Sequence, residues 1–350
     1  PPPPPPPPPT QPMSRRRAAP LLCLAAVPAL LAAAPRAREP RLDPRELSAL
    51  PSQVRRVEPA LVGLRVRARE DSVSARRLGV ERTGTAVVFD PRGYAVTVSY
   101  LLLDAVQIEA RLRGGRVVAA RLTALDLDSG LGVVRLDGDG PWRAATLASS
   151  ADVTVGAATA TTGVDEDGDL VHVTGSVHAI KRFSAFWEYM LERALFVAPA
   201  VSGSWGGTAV VDAEGRVIGV VSLRLGDGPH VNMAVPAERL LQVKDELIAE
   251  GRVVSRPARP WIGLQTVATP GGLYVDGFNE AGPARAAGFR RGDRILKVDG
   301  VAVNSQEEFY ERMWRRRAGD TIEVAVRRAE SEVVIPVRSM DRHRLYRPAK

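Results

Sequence analysis

The feature that most constrains this fold is a series of short apolar runs rich in β-branched residues, each closed by a turn of Gly, Asp or Pro. One example is Ala209–Asp212, followed by the turn Ala213–Arg216 and the second run Val217–Leu223. Strands of this length between polar turns are typical of barrels and sandwiches. With 350 residues and 45% apolar composition, the chain is long enough for two or three domains with buried cores. We therefore expect a mainly β protein of more than one domain.

A glycine-rich loop, Gly203–Thr208, stands directly before these strands. The glycines at Gly203, Gly206 and Gly207 allow a tight turn that aims backbone N–H groups at one point, as an oxyanion-binding loop does. Such a loop places a nucleophilic hydroxyl where this sequence has Trp205, and an indole cannot attack a carbonyl. With its neighbour Ser204, the loop is therefore expected to be the remnant of an oxyanion-binding loop.

The order of motifs around this loop resembles the HtrA/Deg family of trypsin-like serine proteases. After the loop, the hairpin is followed by Val231–Pro236 and by a helix expected over 237–250. Further matches lie upstream, at Thr83–Phe89, Pro91–Thr97, Leu125–Val134, Ala145–Gly163 and Val173–Val177. The resemblance covers Val54 to Arg338. It implies a chymotrypsin/trypsin-like double β-barrel followed by a PDZ domain.

The same resemblance locates the family's catalytic triad, and all of its positions are replaced. Tyr100 stands at the histidine position, Gly130 at the aspartate position and Trp205 at the serine position. Loss of a whole triad costs on the order of 10⁶ in turnover. We therefore expect a pseudoprotease with no catalytic residues. Two interpretations of Trp205 stay open: a plug in the cleft mouth, or, together with Tyr100, the floor of a peptide groove.

An active serine endopeptidase with a rearranged site is the alternative. Ser202 and Ser204 are hydroxyls in the right loop, but a serine nucleophile needs a base within hydrogen-bond reach. The candidate bases are the histidines of the chain, His172, His178, His230 and His343. None of them stands in a motif that favours a catalytic role.

Residues 258–340 resemble a bacterial-type PDZ domain, with a signature from Ala281 to Gly300 that ends in a hairpin turn of the preferred Asp-Gly type. The resemblance implies that one loop caps the C-terminal carboxylate of a ligand, because successive N–H groups in a glycine turn bind anions. By residue match the loop is Trp261, Ile262, Gly263 and Leu264. The adjoining strand edge would then pair with the peptide. A helix carrying Phe309 and Met313 would form the other wall, or would pack these residues in the core.

The remaining segments complete the expected organisation. Residues 1–12 are a polyproline low-complexity segment, 13–37 a signal peptide or signal anchor, and 38–57 a linker. The double barrel is expected to span residues 58–236, and a linker helix follows over 237–257. Residues 341–350 are a basic tail, of which residues 342–350 are expected to be disordered. The segment Arg182–Val197 is expected to be helical, as a lid or docking surface or as a local packing insertion.

Export to a bacterial periplasm or cell envelope follows from the N-terminal segment, with membrane anchoring as the alternative. The net charge is +8, but the basic residues are scattered, which argues against nucleic-acid binding. The single cysteine, Cys23, lies in the N-terminal segment, and no cofactor or metal is expected. The expected partners are protein C-termini or unfolded polypeptides. A homo-oligomer, or a complex in which the chain regulates an active HtrA-type protease, is a further expectation.

Overall fold

The computed structural model describes residues 48–203 and 205–346. The polyproline segment, the signal segment, the first half of the 38–57 linker, Ser204 and residues 347–350 lie outside the described residues. In the described part, the strands form two closed barrels and a further sheet. This arrangement confirms the mainly β, double-barrel fold with a second domain.

The first barrel contains the Tyr100 and Gly130 positions. Its strands are β1 (Leu61–Ala68), β2 (Glu81–Asp90), β3 (Tyr94–Val98), β4 (Ala105–Leu112), β5 (Val117–Asp126) and β6 (Leu131–Leu136), in the order β1-β2-β3-β6-β5-β4. Alternation along β1 shows why the chain folds this way: Leu64 and Val66 are buried, whereas Arg65 and Arg67 face solvent. Short helices Ser52–Val57, Val73–Leu78 and Ser99–Leu102 lie outside the strands.

The second barrel contains the Trp205 loop. Its strands are β7 (Ala158–Val164), β8 (Leu170–Ala185), β9 (Tyr189–Ala198), β10 (Ala209–Val211), β11 (Val217–Leu225) and β12 (Val231–Pro236), in the order β10-β11-β12-β9-β8-β7. The linker after it is two helices, Ala237–Leu241 and Lys244–Glu250, because Val243 departs from helical geometry with φ −131° and ψ 0°. The single continuous helix expected over 237–250 is therefore interrupted.

The second domain is built on a sheet of β13 (Leu264–Thr269), β14 (Gly272–Phe278), β15 (Arg294–Val298), β16 (Val301–Ala302), β17 (Thr321–Arg328) and β18 (Ser331–Arg338). Two helices, Ala284–Ala287 and Gln306–Met313, accompany the sheet. Ser305 caps the longer helix, because its hydroxyl accepts the Glu308 N–H at 3.1 Å. Strand β13 and this helix border the same groove.

Two expectations about local structure are wrong. The segment Arg182–Val197 is not helical but forms the end of β8, a turn, and most of β9. Tyr189 and Leu191 of β9 face the barrel core, whereas Met190 belongs to the core of the second domain. Because both faces of the strand are buried, its sequence lacks the alternation that identifies a half-exposed strand.

The expectation of a disordered tail is also wrong over its first part, because Arg342–Leu345 is a 3₁₀ helix capped by Asp341. Tyr346 after it packs against the barrel core. Among residues 48–203 and 205–346, no helix combines the length and apolarity needed to cross a bilayer. The membrane-anchor expectation concerns a segment outside this range.

Candidate functional site

Tyr100, the residue predicted to stand at the histidine position, joins the two barrels. Tyr100 lies in the helix after β3, and its hydroxyl donates a hydrogen bond to the carbonyl oxygen of Ser222 on β11, at 3.0 Å. Burial raises the pKa of this phenol above its ordinary value. A phenol that stays protonated and donates its proton to a carbonyl cannot act as a general base at neutral pH.

Gly130, the residue predicted to stand at the aspartate position, is tightly packed against Tyr189. Gly130 has a φ of +80°, and a Cβ built there would lie 3.0 Å from the hydroxyl of Tyr189. That hydroxyl donates to the carbonyl oxygen of Ser129 at 2.7 Å, and burial raises its pKa. The Gly130 carbonyl in turn accepts the Ser99 N–H at 2.8 Å. The backbone conformation and the Tyr189 ring therefore both favour glycine here.

Trp205, the residue predicted to stand at the serine position, is partly exposed. Its side chain is 36% exposed, so it is not fully buried, and the two interpretations of this residue stay predictions. The backbone N–H of Trp205 donates to the carbonyl oxygen of Gly203 at 2.8 Å. The N–H of Gly207 donates to the carbonyl oxygen of Val221, also at 2.8 Å. Gly206 lies directly against the Tyr100 hydroxyl. The amide at the nucleophile position is thus already bonded within the loop and does not point freely at an oxyanion.

The candidate bases are placed as follows among the residues that the structure describes. His172 and His178 are exposed on β8, and no hydrogen bond joins Ser202 to a histidine within the described residues. His343 is held by Asp341, with 3.0 Å between Nδ1 and Oδ1, and its Nε2 accepts the Leu127 N–H at 3.3 Å. This histidine is therefore engaged in positioning the C-terminal segment.

A buried arginine that sequence reasoning missed fixes the helix of Tyr100. Arg82 on β2 is 5% exposed and donates to the carbonyl oxygens of Tyr100 at 2.9 Å and Leu103 at 2.8 Å. It also bonds the carbonyl of Gly79 and the hydroxyl of Ser74. Burial lowers its pKa. One arginine among many scattered ones gives no signal in the sequence.

The loop Trp261–Leu264, predicted to bind a carboxylate, contains a glycine turn. Gly263 has a φ of +80°, and a Cβ there would lie 2.7 Å from the Cα of Gly282. Trp261 is anchored by a two-way backbone pair with Met340, at 3.0 and 2.9 Å. The N–H groups of Ile262 and Leu264 consequently point to one spot, which suits an anion.

A carboxylate of the same chain occupies that spot. The N–H of Ile262 donates to Oε2 of Glu188 at 3.0 Å, and the N–H of Leu264 donates to Oε1 at 2.8 Å. Burial raises the pKa of Glu188 to about 7, opposed by these hydrogen bonds and by the nearby Arg342. Sequence reasoning missed Glu188, because a single acid among aromatic residues carries no recognisable pattern.

The predicted groove residues on the helix are fully buried. Phe309 and Met313 belong to the core cluster of the second domain, and Met190 of β9 belongs to the same cluster. Other residues of this helix make polar contacts: Tyr310 bonds the β8–β9 hairpin, and Gln306 bonds Thr266 of β13.

The two acids beside Gly130 are also buried and paired. Asp126 contacts Arg256 at 2.5 Å, and Asp128 lies 3.6 Å from Arg256 and 3.7 Å from both Arg259 and Arg342. These pairs join the barrel to the linker and to the C-terminal segment.

Comparison with known proteins agrees with this architecture. Residues 84–220 match the family of trypsin-like peptidase domains, and residues 260–338 match the PDZ domain family. The chain is 24% identical over 298 residues to the serine protease Do-like HtrA of Lactobacillus helveticus, covering 77% of this chain and 71% of that protein. It is 26% identical over 304 residues to the serine endoprotease DegS of Escherichia coli K12, covering 81% and 83%.

Among solved structures, the HtrA-type protease AlgW with a decapeptide is similar, with a TM-score of 0.54, 23% identity, and coverage of 85% of this chain and 98% of that one. The serine endoprotease from Yersinia pestis has a TM-score of 0.53 and 23% identity, with coverage of 83% and 96%. The class of protein is thus a trypsin-fold peptidase domain followed by a PDZ domain. Within that class, the chain is HtrA-like.

Proposed function

We propose that this chain is an exported HtrA-like pseudoprotease that binds peptides or unfolded polypeptides through its PDZ domain and does not cleave them. The observation that carries the proposal is the state of the positions that match the triad. The Tyr100 hydroxyl donates a hydrogen bond to the carbonyl oxygen of Ser222, and Gly130 faces the Tyr189 ring. The N–H of Trp205 is bonded within its own loop. A base, an orienting acid and a nucleophile are each replaced by a group without that chemistry.

The PDZ domain supports the binding half of the proposal. The N–H groups of Ile262 and Leu264 already hold a carboxylate, and strand β13 borders a groove in which a peptide adds as a further strand. The solved structure of AlgW contains a decapeptide, which is consistent with peptide binding by this architecture. Protein C-termini are the ligand class that presents such a carboxylate.

Export to the periplasm is supported by a relative named as a probable periplasmic serine endoprotease DegP-like, from Halomonas elongata. It is 27% identical over 265 residues, and this chain spans 53% of its length. The proposal includes a homo-oligomer or an HtrA-type protease as a further partner, and a co-purified, catalytically intact relative would support the second.

The full chain, incubated with unfolded casein and with a fluorophosphonate probe, tests the loss of hydrolysis. The matched control is the double variant Ser202→Ala/Ser204→Ala, which removes both remaining hydroxyls of the loop. We expect no turnover and no label with either protein. Turnover or labelling that disappears in the double variant would instead establish a rearranged active site.

A further inference from the structure

The tip of the β8–β9 hairpin, residues 184–190, lies in the groove of the PDZ domain. The carbonyl of Phe186 accepts the Thr266 N–H of β13 at 3.3 Å, and the carbonyl of Ala185 accepts the Tyr310 hydroxyl at 2.7 Å. The Ser184 hydroxyl donates to Glu307 at 2.5 Å. The hairpin tip is therefore bonded to both walls of the groove, the strand and the helix.

The hairpin tip also supplies the carboxylate that the binding loop holds. Glu188 is 2% exposed, and both of its oxygens accept N–H groups of the loop. The α-carboxylate of an external peptide would need the same two N–H donors. The two carboxylates cannot occupy the loop together.

The contact has an apolar and an ionic part as well. Met190 is 5% exposed and packs in the PDZ core cluster, and Arg182, just before the tip, pairs with Glu311 of the helix at 2.7 Å. Phe186 and Trp187 remain 50% and 37% exposed on the outer side of the tip. An approaching ligand thus meets the hairpin tip before it meets the groove.

The docked conformation carries two costs that favour exchange. Glu188 has a φ of +57°, a left-handed conformation that is unfavourable for a residue with a side chain. Its carboxylate is also fully withdrawn from water, with two backbone donors as partial compensation. A C-terminal peptide can use the same donors without the left-handed turn.

We propose that the hairpin tip is an internal ligand of the PDZ domain, with Glu188 in the place of a C-terminal carboxylate, so that an external C-terminal peptide binds by displacing it. This inference rests on the proposed peptide-binding function. The groove is consequently closed in the resting protein, and its apparent affinity for an external peptide is reduced by the fraction of molecules in which the tip is docked.

The test uses Glu188→Gln in the full chain. This change keeps the side-chain volume but puts an amide N–H₂, which cannot accept a hydrogen bond, where one of the two carboxylate oxygens accepts a loop N–H. The matched control is Glu192→Gln, the same change at an exposed residue of the same hairpin. The probe is a fluorescein-labelled synthetic peptide of sequence Lys181–Trp187 with a free α-carboxylate. Ser184, Ala185 and Phe186 of this segment are bonded to the groove in the structure, and its terminal carboxylate can take the place of the Glu188 side chain.

We expect Glu188→Gln to bind the probe at least ~10-fold more tightly than the parent protein, as measured by fluorescence anisotropy, and Glu192→Gln to bind like the parent. The gain should vanish when the probe carries a C-terminal amide. Ser184→Ala, which removes one tip contact and leaves the PDZ domain unchanged, should give a smaller gain in the same direction. It also serves as the second variant if Glu188→Gln does not fold.

The outcomes separate the two proposals. Equal binding by the parent protein and by both tip variants would overturn the internal ligand and leave the peptide-binding function intact. Binding that is indifferent to the amide would overturn the role of the carboxylate. No binding by any variant would overturn peptide binding, and the internal ligand with it.

Discussion

Introducing an aspartate at position 130, the predicted aspartate position of the triad, should destabilise the protein. In Gly130→Asp, a residue with a side chain at a φ of +80° costs about 1–2 kcal/mol. The new Cβ would also displace the Tyr189 hydroxyl from its 2.7 Å bond to the Ser129 carbonyl. Leaving these buried groups unpaired adds about 1–3 kcal/mol. The free energy of unfolding should therefore fall by about 2–5 kcal/mol, measured by urea denaturation.

Gly115→Asp is the matched control, because Gly115 has a φ of +85° and open space where its Cβ would lie. It should lose only the conformational part, about 1–2 kcal/mol. Equal losses from the two substitutions would refute the argument that Tyr189 excludes a side chain. For the same reason, a protein with Tyr100→His, Gly130→Asp and Trp205→Ser together should still fail to degrade casein.

Three further predictions concern the groove and the cleft. Burial raises the pKa of Glu188 from 4.5 to about 7. Between pH 4.5 and pH 7, Glu188 is therefore protonated in the docked hairpin tip and ionised in the released tip. Docking therefore weakens as pH rises from 4.5 to 7. The groups that face Glu188 are Arg342 and the Tyr310 hydroxyl. The peptide probe should bind roughly 10- to 100-fold more tightly at pH 7.5 than at pH 4.5. A flat profile would contradict this. Arg82→Met should lower the unfolding free energy by about 3–5 kcal/mol, because it leaves buried carbonyls unpaired. Arg82→Lys should recover part of that loss. A loss below ~1 kcal/mol in urea denaturation would show that Arg82 does not stabilise the helix of Tyr100. Trp205→Ala should lower the unfolding free energy by less than ~1 kcal/mol, since the indole is 36% exposed. A loss above ~2 kcal/mol in the same assay would support the interpretation of Trp205 as a plug in the cleft mouth.

The sequence was sufficient where a single residue type decides the outcome. An indole cannot act as a nucleophile, so Trp205 predicts the loss of that role whatever surrounds it, and this stays a prediction. Likewise, Gly263 indicates a positive φ, because a turn of this kind excludes a Cβ, and the structure has that conformation. Ordered motifs over a long stretch also sufficed for the double barrel and the PDZ domain.

Only the tertiary structure decided which groups meet. Glu188 and Ile262 are 74 residues apart in the chain, and their contact depends on the docking of a barrel hairpin against another domain. The same docking buries both faces of β9 and removes the alternation that would have identified a strand. Local sequence patterns report the surroundings of a residue along its own element. The occupant of the PDZ groove is set by contacts between elements that no local pattern records.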